Sequence, residues 1–186
     1  MYPNYLLLLF TSLLFLGSCS NTSAPQKAVD QAFKTTPPSR IYFKNIRSAS
    51  YSTLDNEREG MDLYRLRKYE QPAKAFRIVP TIADYWLNDQ AYILFQFENP
   101  DTLALTTPLE IQWESSGQEN GSVQLTPMNQ KGQHAFAKNL YELLQQKHQL
   151  FLALEDNKRV KIFDNHQELS YIMTVLRDYF KLTEAI

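Results

Sequence analysis

The sequence predicts an α+β domain, in which an antiparallel β-sheet or β-sandwich is combined with two amphipathic helices in the C-terminal half. Two observations lead to this class. Between residues 76 and 125, apolar and polar residues alternate in segments separated by turn residues, as in antiparallel hairpins. After residue 130 the apolar spacing changes to that of helices, with two short apolar segments between them.

Residues 76–97 predict the first hairpin. The even-numbered positions of residues 76–86 are mostly apolar, and the turn residues Asn88-Asp89 precede a second alternating segment. A two-residue turn would place Trp86 beside Ala91 and Ile82 beside Phe95, on one apolar face.

Residues 109–125 predict the second hairpin. A five-residue loop over residues 117–121 brings Trp113 opposite Leu125 and keeps the apolar residues of both strands on one face. Residues 41–47 and 61–69 predict two further strands upstream.

The C-terminal third predicts helix, strand, turn, strand and helix. The first helix carries apolar residues at Phe136, Leu140, Leu143 and Leu144, and residues 150–154 and 159–163 follow as strands. Asn165 and Glu168 form an N-cap and N3 pair. They precede an apolar stripe at helical spacing, formed by Leu169, Ile172, Met173, Leu176 and Phe180.

The N-terminal segment predicts export. Residues 5–17 are free of charged residues, and as a helix they would cover about 20 Å, against about 30 Å for a bilayer core. A short apolar core followed by small residues is typical of a secretory signal peptide.

The segment Leu16-Gly17-Ser18-Cys19 resembles a bacterial lipobox, in which an aliphatic residue and two small residues precede a cysteine. The resemblance to bacterial lipoproteins implies cleavage before Cys19 and attachment of a diacylglyceryl group to its thiol. Because Ser20 is not an aspartate, the resemblance also implies sorting to the outer membrane, on its periplasmic or surface side, rather than retention in the inner membrane.

These features divide the chain into three predicted parts. Residues 1–18 are the signal peptide, and residues 19–38, rich in Ser, Thr, Ala and Pro, form a flexible tether. Residues 39–186 form a single globular domain of common size. Since Cys19 is the single cysteine of the chain, the domain has no internal disulfide.

The element order of the C-terminal third is also similar to that of small secreted β-sandwich proteins related to invasion-associated proteins. The likeness is one of pattern. It implies a sandwich with flanking helices, and it assigns no site residue. Otherwise the chain is similar to uncharacterised bacterial lipoproteins.

The net charge of the chain is −1, which predicts no nucleic-acid partner. The charged residues are nevertheless unevenly distributed along the sequence. Residues 34–77 hold ten basic and five acidic residues, whereas residues 78–130 hold seven acidic residues and no Lys or Arg. One interpretation is a dipolar surface for a charged partner. The other is that the two segments are neighbours and neutralise each other.

Motifs for catalysis or metal binding are missing from the sequence. His134, His148 and His166 have no ligand-like spacing, so we expect surface histidines, no metal and no cofactor. There is also no Gly-x-Ser-x-Gly elbow and no glycine-rich phosphate loop.

Three residues of the first hairpin are weak candidates for a ligand-binding site. Asp84 interrupts an apolar face and is either a functional acid or, if Pro80 introduces a bulge, a surface residue; the bulge is the favoured expectation. Tyr85 and Tyr92 are expected opposite each other on the second face, either as an exposed platform for sugar rings or as packed core.

The leading functional hypothesis is therefore a lipid-anchored envelope protein with a non-catalytic binding or assembly domain for an envelope protein or a glycan. The alternative is a hydrolase that acts on an envelope or external polymer, using Asp84 and an acidic partner from residues 78–130. A third possibility is an assembly factor for a multi-component envelope machine.

Overall fold

The computed structural model of the protein describes residues 31–56, 60–73, 75–100 and 103–184. The predicted signal peptide, Cys19 and most of the predicted tether lie outside these residues. Ala32–Ile186 form one compact unit, which contains the helices and strands named below.

The described residues contain three α-helices and eight β-strands, so the predicted α+β class is confirmed. The helices are α1 (Pro37–Tyr42), α2 (Gln130–Gln145) and α3 (His166–Leu182). The strands are β1 (Tyr51–Asn56), β2 (Met61–Leu66), β3 (Arg77–Tyr85), β4 (Gln90–Glu98), β5 (Glu110–Glu114), β6 (Asn120–Gln124), β7 (Gln149–Ala153) and β8 (Arg159–Ile162).

The first sheet is antiparallel, in the order β1-β2-β3-β4, and the C-terminal helices pack on it. Its helix-facing side carries Ile82, Ile93 and Phe95, all buried. Phe95 meets Phe136 of α2 edge-on, with ring centroids 5.0 Å apart. The Phe95 N–H also donates to Oε1 of Gln133 at 2.7 Å, which fixes α2 to the backbone of β4.

The second sheet is antiparallel, in the order β6-β5-β7-β8. Ile111 of β5 and Leu152 of β7 lie opposite each other and are fully buried. They belong to the same apolar cluster as the buried residues of the first sheet and of both long helices. One core therefore stabilises both sheets.

The prediction of a strand at residues 41–47 is wrong, because these residues continue α1 through a π-helical turn, Phe43–Arg47. The aromatic and β-branched content of this segment resembles a strand. The residues before this segment favour a helix instead. Thr36 caps the helix by accepting from the Ser39 N–H, and Pro37 occupies the first turn. Phe43 is buried and packs on Tyr51 and Tyr64.

The compact unit begins earlier than the predicted boundary at residue 39. Phe33 is buried, and its carbonyl accepts from the Ala91 N–H at 2.8 Å. The Thr35 N–H donates to the Asp89 carbonyl at 2.7 Å. The last residues of the predicted tether therefore extend the first sheet beside β4.

The first hairpin has the predicted apolar face but another register. Ile82 lies opposite Ile93 rather than Phe95, and Pro80 takes the place opposite Phe95. The connection is longer than two residues, because Trp86–Asn88 form a 3₁₀ turn and Asp89 adopts a left-handed conformation with φ of 53°. Trp86 consequently lies outside the strand and not beside Ala91.

The second hairpin has a five-residue loop, residues 115–119, but Trp113 lies opposite Gly121 and not Leu125. The reason is local. Ser115 Oγ accepts from the Gly117 and Glu119 N–H groups and closes the turn early. The indole of Trp113 lies against Gly121, where a Cβ atom would be 2.9 Å from the ring.

The two C-terminal helices and the strands between them are confirmed. Asn129 caps α2 by accepting from the Gly132 N–H at 3.0 Å. Asn165 caps α3, as predicted, by accepting from the Gln167 N–H at 2.8 Å. The segment 61–69 is also a strand for most of its length, namely β2.

Candidate functional site

Asp84 is fully buried in the structure, so the expectation that it faces solvent is wrong. The pairing of β3 with β4 runs without a break from Arg77 to Tyr85, and Pro80 introduces no bulge. The side chain therefore keeps the apolar-face position that simple alternation gives it.

Two cations accompany the Asp84 carboxylate, one from α1 and one from the π-helical turn that follows it. Arg40 Nε donates to Oδ1 at 3.2 Å, and Lys44 Nζ lies 3.7 Å from Oδ2. Burial raises the pKa of the Asp84 carboxyl above its usual range, while Arg40 and Lys44 lower it. Asp62, which lies opposite Asp84 on β2, shares Lys44 at 3.5 Å.

This arrangement accounts for Asp84 as an internal ion-pair partner. The acidic residues around it are themselves held by cations: Asp62 by Lys44, and Asp89 by Arg40 at 2.8 Å. With no exposed surface, Asp84 cannot touch a polymer unless α1 moves.

The basic and acidic segments of the sequence neutralise each other in the first sheet and the helical segment before it. The pairs that join them are Arg40–Asp84, Arg40–Asp89, Lys44–Asp84, Arg65–Glu98 and Arg77–Glu98. The interpretation that the segments are neighbours is confirmed for these residues.

Tyr85 and Tyr92 do not lie opposite each other. Tyr85 pairs with Gln90, whereas Tyr92 pairs with Ala83. Tyr92 is half-buried, its hydroxyl bonds to Gln90, and its ring packs on Phe33 with centroids 5.1 Å apart. The two rings therefore do not form a platform for a sugar, and the packing of Tyr92 on Phe33 agrees with the other interpretation, packed core, for that residue.

The histidines occupy three different surroundings. His134 is half-buried in α2, and Nδ1 lies 2.7 Å from the Tyr179 hydroxyl of α3, so the expectation of a surface histidine is wrong there. Burial lowers the pKa of His134 below its usual value, and Lys138 lowers it further. His148 stacks on Trp113, and His166 is exposed. Among the described residues, no group of three or more His, Cys, Asp or Glu side chains is placed to hold a metal ion.

An apolar cavity of about 420 Å³ lies between the start of β3 and β8. Its lining is mainly apolar and aromatic: Tyr69, Phe76, Ile78, Leu103, Val160, Ile162 and Phe163. Arg77, Lys161 and Glu168 add charged groups at its wall. A mostly apolar hollow of this size with a few polar groups is characteristic of ligand sites in proteins.

Strand β8 borders this cavity, and no other strand of the described residues pairs with its outer edge. It is the last strand of the second sheet, and Val160 is 39% exposed. The Leu154 N–H donates to the Lys158 carbonyl at 2.8 Å. In an antiparallel ladder, hydrogen-bonded pairs occur at every second position. Counting from Lys158, the backbone N–H and C=O groups of Lys161 therefore face away from β7. A smaller hollow of about 320 Å³ also reaches this strand at Lys161 and Ile162.

The cavity could not be found from the sequence. Its residues come from the turn before β3, from β8 and from the first turn of α3, and no motif joins these segments. The one available signal was the short apolar segment at residues 159–163, which by itself indicates only a strand.

A search of protein-family models, curated proteins and solved structures finds no match to this chain. None of the helices in residues 31–56, 60–73, 75–100 and 103–184 combines the length and the apolar character that crossing a bilayer requires.

Proposed function

We propose that the protein is a lipid-anchored lipoprotein of the bacterial envelope, whose domain is a non-catalytic binding module for an envelope protein. The lipid on Cys19 would hold it in a membrane, with the outer membrane favoured by Ser20. The resemblance of residues 16–19 to a lipobox supports the anchor.

The observation that carries the binding proposal is the apolar cavity beside the edge of β8. An extended segment of a partner protein can add to a free strand edge through backbone hydrogen bonds, while alternate side chains enter a neighbouring pocket. Lys161 supplies the outward backbone groups, and Val160 and Ile162 lead into the cavity.

An extended protein segment fits this site better than a glycan does. The lining is aliphatic and aromatic, with polar groups at the wall, and two of these are already engaged: Arg77 with Glu98, and Lys161 with Asp164. The hydrolase alternative has no comparable observation in its favour, since Asp84 is enclosed and paired with Arg40 of α1.

Site-specific photocrosslinking in the bacterial envelope tests the binding proposal. A benzoylphenylalanine replacing Val160 should form an adduct with one extended segment of one partner, identified by mass spectrometry. The matched control replaces Leu54 of β1, which is 67% exposed and also lies on an edge strand. It should give no such adduct.

The crosslinked segment is then synthesised as a peptide and added to the purified full chain. We expect it to slow hydrogen exchange at the Lys161 amide, while a scrambled peptide leaves that amide unchanged. Equal adducts from Val160 and Leu54, or exchange at Lys161 unaffected by the peptide, would contradict the proposal.

A further inference from the structure

A second concave surface, on the other side of the Arg67–Tyr69 turn, has a different chemistry from the apolar cavity. This basic groove, of about 640 Å³, lies between that turn, the end of the π-helical turn at Arg47 and the outer face of α3. Two tyrosines lie between the groove and the apolar cavity. Tyr69 lines the cavity, Tyr171 lines the groove, and their rings meet edge-on with centroids 5.9 Å apart.

The lining of the basic groove combines cations with neutral hydrogen-bonding groups. Three cationic side chains, Arg47, Arg67 and Lys68, line it, and none of the carboxylates in the described residues does. Hydroxyl groups of Ser50 and Ser170 lie among them, whereas the Thr174 hydroxyl, also in the lining, donates to the Ser170 carbonyl at 2.7 Å. Hydroxyl and cationic donors in one concave surface are the groups that bind anionic oxygens in proteins.

The guanidinium of Arg47 is held by the carboxylate of Asp178. Its Nε and Nη2 contact the Asp178 carboxylate at 2.9–3.0 Å, and Asp178, which is buried, also accepts from the Tyr51 hydroxyl at 2.7 Å. No hydrogen bond of Nη1 is formed within the described residues. The buried network therefore orients the guanidinium and leaves one nitrogen for a ligand.

The other two cations are less engaged. Arg67 donates from Nε to the Tyr51 carbonyl at 3.1 Å. Within the described part of the chain, its two terminal nitrogens form no hydrogen bond. In the same residues Lys68 has no ion-pair partner. Charged groups left without a counter-charge in a concave site favour the binding of an anion.

Charge complementarity indicates the class of ligand. The three cations that line the groove carry a charge of +3, and the Asp178 carboxylate paired with Arg47 reduces the net charge to +2. A phosphate monoester carries about −1.5 to −2 at neutral pH and presents several oxygens to guanidinium donors.

We propose that the basic groove lined by Arg47, Arg67 and Lys68 binds a phosphate group. The site is separate from the apolar cavity and does not depend on the partner proposed for it. The phosphate could belong to a soluble phosphorylated sugar, as a monoester, or to a phospholipid headgroup, as a diester with about one negative charge. In both, anionic phosphate oxygens accept from the cationic donors of the groove.

Titration of the full chain in a nonionic detergent tests the proposal. Inorganic phosphate, glucose 6-phosphate, glycerophosphoglycerol and glycerophosphocholine are added separately and followed by calorimetry. The last two are the water-soluble headgroups of phosphatidylglycerol and phosphatidylcholine, so insertion of the protein's own lipid into a bilayer does not enter the measurement. We expect saturable binding to inorganic phosphate and glucose 6-phosphate if the source is a sugar. Saturable binding to glycerophosphoglycerol alone would assign a lipid headgroup.

Variants establish whether the groove is responsible. Replacing both cations, Arg67→Gln with Lys68→Gln, should weaken binding about tenfold or more, because bonds to charged groups are lost. Lys68→Gln alone removes no internal ion pair and should weaken binding without lowering the melting temperature. The matched control, Lys131→Gln with Lys138→Gln on α2, removes the same charge and should leave affinity unchanged.

Two outcomes would overturn the proposal. One is the absence of saturable binding to inorganic phosphate, glucose 6-phosphate and glycerophosphoglycerol alike. The other is equal weakening by the groove pair and the α2 pair, which would mean attraction by overall charge. Neither outcome bears on crosslinking at Val160, so failure of the phosphate site is distinguishable from failure of the binding module.

Discussion

The Asp84 carboxylate is stabilised in the protein interior by cations that remain partly hydrated. Arg40 and Lys44 have 17% and 41% of their side chains exposed, whereas the carboxylate has none. The cost of removing the carboxylate from water is therefore offset in part by groups that have lost less of their own hydration, and the pKa of Asp84 stays above its usual range. Asp84 thus links α1 to the middle of the first sheet.

Substitution of Asp84 tests this role. Asp84→Leu should lower the free energy of unfolding by about 2 to 3 kcal/mol, somewhat less than is typical for a fully buried pair, because Arg40 and Lys44 retain partial solvation. Asp84→Asn should cost less, since its carbonyl still accepts from Arg40. Urea unfolding gives both values.

The control is Asp164→Asn, which removes an ion-pair partner with 70% of its side chain exposed and should change stability by no more than about 0.5 kcal/mol. If Asp84→Leu and Asp164→Asn had the same small effect, the buried position of Asp84 would be contradicted.

At the scale of elements, the sequence was sufficient to predict the apolar face of the two hairpins, but neither how their strands are aligned nor that β3 is buried on both faces. Alternation fixes the face, and both hairpins retained it. Register depended on loop conformation, such as the left-handed Asp89, and on the contact of Trp113 with Gly121. Likewise, α1 was missed because its cap at Thr36 lay in residues assigned to the tether.

The packing of α2 on α3 should depend on pH through His134. Its pKa in the folded protein is lowered by burial, so the neutral ring contributes stability that is present above the ordinary pKa of about 6.5 and is lost as pH falls below it. We expect the melting temperature to fall between pH 7 and pH 5, and His134→Gln should reduce that fall.

His166→Gln is the matched variant, because His166 is exposed at the start of α3. It should melt with the same pH dependence as the wild type. A His134→Gln protein whose melting temperature still fell as steeply as that of the wild type would show that another group titrates in this range.

For the whole molecule, the sequence predicted the class of the domain but neither the apolar cavity nor the basic groove. The apolar cavity and the basic groove are assembled from segments far apart in the chain, such as residues 67–77 and α3. Their residues carry no motif, because apolar and cationic side chains serve equally as core and surface groups elsewhere. Only the tertiary fold brings them together.

The proposed anchor determines where these surfaces act. A single acyl chain binds a bilayer only marginally, whereas two or three bind firmly, at about 0.8 kcal/mol for each buried methylene. Cys19→Ser should therefore release the protein from the membrane fraction or mislocalise it, without changing the fold of residues 32–186.

The most direct test of the account is mass spectrometry of the N-terminal peptide of the protein purified from bacterial membranes. We expect a chain that begins at Cys19 and carries a diacylglyceryl group on its sulfur. A peptide that retains residues before Cys19 and has a free thiol would contradict the proposed anchor and, with it, the proposed place of action.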